Sequence, residues 1–120
     1  MTDDRVALGR QGEQLAAQEL VRSGYEIVDQ NWRCQAGEVD LVARRDGAYH
    51  FFEVRTRRGN ACGTPEESVT PAKRQRMIDV ARTYLGEHDL DDVDWRIGFV
   101  AVEMDRAGRV LRLEVYDSIS

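Results

Sequence analysis

The sequence predicts an α/β fold in which helices flank a mixed five-stranded sheet, in the order α-β-β-β-α-β-β. Three observations predict it. Segments 5–23 and 71–87 repeat their apolar residues at helical spacing. Five shorter segments read as strands, two of them joined by Asp46-Gly47. One helix falls between the third and fourth strands, which permits a right-handed parallel crossover.

In the first helix Leu8, Gly12, Leu15, Ala16 and Leu20 form one stripe, and Gly24 supplies a C-terminal stop. Residues 25–33 follow as a short strand. Residues 37–44 and 48–57 are the next two, and the Asp-Gly pair between them is a strong hairpin signal. Residues 58–68 form a glycine-containing loop. Thr70 and Pro71 then read as N-cap and first residue of the second helix, with Met77, Ile78, Ala81, Tyr84 and Leu85 facing the core. An acidic loop, 88–94, leads to strands 95–104 and 110–117, a hairpin around Asp105-Arg106-Ala107-Gly108-Arg109.

With 120 residues, 42% hydrophobic and 32% charged, the chain is expected to form a single globular domain over 1–120. No segment approaches the roughly 18 apolar residues of a membrane span. The first residues lack the basic and apolar regions of a signal peptide. Cys34 and Cys62 have no metal-ligand spacing, so reduced thiols and a cytoplasmic location are expected.

The net charge of −5 argues against wrapping nucleic acid through an overall positive field. The charge is unevenly placed, however. Residues 44–76 hold 8 basic and 4 acidic residues, whereas 1–43 hold 4 and 8, and 86–120 hold 4 and 9. An anion held near a metal would suit that basic segment. Of the 17 basic residues all but Lys73 are arginine, so an arginine in place of a lysine need not signal a changed role.

A two-residue Asp46-Gly47 loop pairs residues whose numbers sum to 93. Asp40 then lies opposite Glu53, and Glu38 opposite Arg55, all four on one face. Val39, Leu41, Phe52 and Val54 occupy the other, core-facing side. Directly opposed Cβ atoms lie about 4.5–5.5 Å apart, within reach of one shared cation. Without a cation, like charges so placed destabilise the sheet, and burial worsens the repulsion. Glu38 and Arg55 could form an ordinary exposed ion pair. The residues alone leave two readings, a metal-binding carboxylate pair or a solvated charged face.

"GEVDL" (37–41) followed by "FFEVRTR" (51–57), after "GRQGEQLAAQEL" (9–20), resembles the YraN-like family of bacterial proteins. The resemblance spans about residues 8–102, including "VTPAKRQRM" (69–77). That family is grouped with the PD-(D/E)XK nucleases and is similar to Holliday-junction resolvases, which implies a restriction-endonuclease-like fold. It also implies a metal-dependent endonuclease acting on DNA, branched or single-stranded, with Asp40 and Glu53 holding Mg²⁺ or Mn²⁺. Glu13 matches a position where related resolvases bring a further acid toward the metal, and Glu38 is a second-tier candidate ligand.

Two departures from the family pattern stand out. The usual E-x-K reads Glu53-Val54-Arg55 here, and relatives tend to carry an acid near Gly98. Arginine clamps phosphate in a bidentate manner but does not surrender a proton near neutral pH. Metal-lowered water pKa could still generate hydroxide, so weakened or redirected hydrolysis is expected. Lys73, Arg57, Arg58 and Arg74 are the expected nucleic-acid contacts, with DNA ahead of RNA, no membrane, and a homodimer allowed. The alternatives are a nucleic-acid-binding module that has lost catalysis and a protein-interaction domain.

Overall fold

The computed structural model describes residues 4–59 and 63–119. The first helix, α1 (Asp4–Arg22), stops at Gly24, whose φ of 94° only glycine adopts without strain. There the Tyr25 N–H reaches the Leu20 carbonyl at 2.9 Å and the Gly24 N–H reaches that of Val21 at 3.1 Å. Gly12 has a different task. A Cβ at that position would lie 1.8 Å from Thr56 Oγ1, so its absence lets the helix settle directly onto the third strand.

The strands are β1 (Glu26–Cys34), β2 (Gly37–Arg45), β3 (Ala48–Arg58), β4 (Asp94–Met104) and β5 (Val110–Tyr116). They form one mixed sheet in that order. Neighbours are antiparallel except β3 and β4, which run parallel from Ala48 beside Asp94 to Arg58 beside Met104. The connection between those two carries α2 (Pro71–Glu87), as the crossover expectation requires. Thr70 caps α2, its hydroxyl accepting from the Lys73 N–H at 3.1 Å, and Pro71 follows.

The sheet is buried on both sides. Ala16 and Leu20 of α1 pack with Leu41, Phe52, Val54, Val100 and Val102. Met77, Val80, Ala81 and Tyr84 of α2 pack with Val42, Phe51 and Ile97 on the opposite side. Val80 belongs to the fully buried set of α2, whereas the expected Ile78 is only partly covered. Cys34 is a free, half-buried thiol. Within the expected 58–68 loop, Pro65–Ser68 make a 3-10 turn, and Cys62 lies outside the described residues. Among the described residues no helix is long and apolar enough to cross a membrane.

The β2–β3 register has the expected sum of 93, from Arg45 beside Ala48 to Leu41 beside Phe52. Beyond that point two expectations need correction. Val39 packs with the α2 cluster, not with Leu41 and Phe52. The strict alternation slips at Asp40, where β1 has Asn31 at φ 51° and the recorded β1–β2 pairs skip from Gln30–Leu41 to Trp32–Val39. Glu38 pairs with Arg33 of β1 (3.5 Å) instead of Arg55, because the β2–β3 ladder has already ended.

Candidate active site

The functional residues gather where β2 and β3 part. Past Leu41–Phe52 the Val54 N–H turns to the Asp40 side chain, donating to Oδ2 at 2.8 Å. A carboxylate therefore replaces a main-chain partner in the ladder. Around it opens a cleft of about 380 Å³. Gly9 and Glu13 of α1, Glu38 and Asp40 of β2, Glu53 and Arg55 of β3, and Lys73 and Arg76 of α2 all line it. The fold thus brings Asp40, Glu53, Arg55, Glu13, Glu38 and Lys73 to one place.

Their electrostatics differ sharply. Asp40 is half-buried, and its pKa is pushed up to about 7. Loss of hydration is the main cause, offset in part by the Val54 N–H and reinforced by Glu53, Glu13 and Glu38. Burial also raises Glu13. The Asn31 amide hydrogen-bonds its carboxylate and opposes that shift, while Glu38 adds repulsion. Glu53 is compensated instead. Its Oε2 accepts from the Lys73 ammonium and from Arg55 Nε, the latter at 3.2 Å. Lys73 is the better buried of these two cations, with a side chain 15% exposed against 42% for Arg55.

The expected cross-strand pairing of Asp40 with Glu53 is not made, because the ladder ends at Leu41–Phe52, and the two acids meet instead as lining of the cleft. Each carboxylate has one oxygen engaged, Asp40 by a backbone donor and Glu53 by two cations. Among the described residues, no three acids, histidines or cysteines are gathered as a ready metal cage. The donor chemistry nonetheless fits a hard cation, since carboxylate oxygens are what Mg²⁺ and Mn²⁺ take. Lost hydration and the neighbouring acids both disfavour the Asp40 carboxylate, and a bound cation would relieve both.

Arg57 and Arg58 lie outside this cleft and line a neighbouring cavity with Arg55. Arg74 is exposed on α2 and lines neither. Sequence reasoning missed Asn31, Arg76 and Gly9. Only Asn31 had a usable signal, because asparagine tolerates the left-handed conformation it adopts. Gly98 has a steric explanation. A Cβ there would meet Phe52 and the Tyr116 carbonyl at 2.7 Å, leaving an acidic side chain no room.

An α/β protein with a cleft lined by both acids and cations, at the open end of its central hairpin, is the class that fold and site define. The chain belongs to the uncharacterised protein family UPF0102, whose family model matches residues 12–112. A UPF0102 protein of Roseiflexus castenholzii is 46% identical over 95% of this chain and 93% of its own length. One from Herpetosiphon aurantiacus is 41% identical over the whole chain and 98% of its own length. One from Nocardia farcinica is 52% identical over 72% of this chain and 68% of its own.

Proposed function

We propose that the cleft is the active site of a metal-dependent phosphodiesterase of the endonuclease type, acting on DNA. One observation carries this reading. One cleft gathers four carboxylates, Glu13, Glu38, Asp40 and Glu53, with three cationic side chains, Arg55, Lys73 and Arg76. A site that holds a metal cation beside a phosphate needs both kinds of group within reach of one another.

In this reading Asp40 and Glu53 hold Mg²⁺ or Mn²⁺, with Glu13 contributing directly or through water and Glu38 as an outer candidate. The ion would supply a lowered water pKa and neutralise charge on the phosphate. Arg55 offers its guanidinium to a phosphate oxygen. Lys73 fixes the Glu53 carboxylate and sets its direction. The Val54 N–H does the same for Asp40. Membership of the restriction-endonuclease-like group is supported by the element order together with the positions of Asp40 and Glu53.

Cleavage of linear, branched and single-stranded DNA with Mn²⁺ tests the reading, against EDTA and Glu53→Ala. Removing a first metal ligand should lower the rate by at least about 10²-fold. A wild type no faster than Glu53→Ala on every substrate rules the enzyme out. The second reading, a binding module without catalysis, is favoured by the two cations already on Glu53. It predicts salt-dependent DNA binding with no calorimetric Mn²⁺ signal.

A further inference from the structure

Between the first turns of α1 and the outer end of β3 lies a second cavity of about 460 Å³. Arg5 and Leu8 wall it on the helix side, and Arg55, Arg57 and Arg58 on the strand side. Among the described residues, no carboxylate lines it, in contrast to the cleft beside it. Among its lining side chains, Arg57 has a buried Nε without a hydrogen-bond partner. A buried guanidinium donor without an acceptor is the group that an anionic ligand would satisfy.

The two cavities share Gly9, Val54 and Arg55. Gly9 stands at the junction, and a Cβ built on it meets nothing within 4 Å. Unlike Gly12, it is not required for helix packing. Its missing side chain leaves the passage between the cavities open. Each cavity is of the size that takes one small ligand, so the passage suits a single chain more than a duplex.

We propose that the cleft and the arginine cavity form one channel for a single nucleic-acid strand. The reacting phosphate sits in the cleft and a neighbouring phosphate of the same strand sits against Arg57. This rests on the substrate class proposed above but not on catalysis.

Fluorescence anisotropy in EDTA, with a labelled single strand of about a dozen nucleotides, tests it without cleavage. Gly9→Leu should fill the passage and weaken binding on the order of tenfold, while Gly9→Ala stays within about twofold. Arg57→Gln should reduce the slope of log K against log salt by about 0.7, the value for one single-strand phosphate contact. Thermal melts establish that each variant is folded, and Arg57→Gln carries the test should Gly9→Leu fail to fold. Wild-type affinity and slope in both variants, or no binding by the wild type at low salt, overturns the proposal. Equal affinity and equal sensitivity for a duplex overturns the single-strand assignment. Absence of cleavage alone overturns only the enzymatic reading and leaves the channel standing.

Discussion

The molecule contains two clusters of acids handled in opposite ways. At the far side of the 3-10 turn, Arg112 of β5 reaches both oxygens of Glu66 at 2.6 and 2.7 Å and Glu103 at 2.6 Å. The Tyr116 hydroxyl donates to Glu114 at 2.7 Å or Glu66 at 2.8 Å. Glu66 is held down to about 2, first by its bonds to Arg112. Those carboxylates have become fasteners, pinning the turn before α2 against β4 and β5. In the cleft, Asp40 stands at about 7 with a single backbone donor and three acids facing it. Acids that serve the fold are paired, and those left crowded are where chemistry is to be sought.

The largest test of that contrast is pH. Asp40 keeps its proton to about 7 in the folded chain, against an ordinary 3.8, so the folded state holds more protons between those values. Stability from this residue is therefore complete below pH 3.8 and declines as pH rises toward 7. The total is on the order of 4 kcal/mol, and the raised Glu13 works in the same direction. Urea unfolding of wild type and Asp40→Asn at pH 5 and pH 8 measures it. The variant, which keeps an acceptor for the Val54 N–H, should be more stable than wild type at pH 8 and gain roughly a third as much at pH 5. Equal stabilities at pH 8 would mean that neither lost hydration nor the neighbouring acids raise Asp40.

Arg112→Ala should come next, costing about 1–2 kcal/mol because Glu66, Glu103 and Glu114 then face one another without a cation. The sign with pH is reversed here. The stability due to Glu66 is present above about 4.5 and disappears as pH falls toward 2. Acid titration followed by circular dichroism should find the variant losing this dependence while DNA cleavage stays at the wild-type rate. A cleavage defect would erase the distinction between fastener and active site.

Smallest is Thr70→Ala, about 1 kcal/mol for the lost cap. Because Lys73 lies in the turn that Thr70 fixes, this change should also loosen the ammonium from Glu53. The Tm drop should be modest, with Mn²⁺-dependent cleavage falling more than it does in Arg112→Ala.

Local chemistry made much of this legible. The Asp46-Gly47 turn set the register down to Leu41–Phe52, and Thr70-Pro71 set the start of α2. What could not be read depends on contacts between distant segments. Where the ladder ends, the Val54 N–H donates to the Asp40 carboxylate, a side-chain partner that strand periodicity does not announce. Val39 changes sides at the same place. That Lys73 would reach Glu53 depends on how α2 lies across the sheet, which no run of residues states. The arginine cavity was half visible, since Arg57 and Arg58 were evident as cations but the opening at Gly9 was not.

Lys73 has one more consequence, through its solitude. Being the only lysine of the chain, it gives the cleft a built-in spectroscopic label. Feeding lysine enriched with ¹³C at Cε would produce a single side-chain resonance, arising beside Glu53 itself. Occupancy of the cleft by a cation or a strand could then be followed atom by atom, with no mutation and no attached dye.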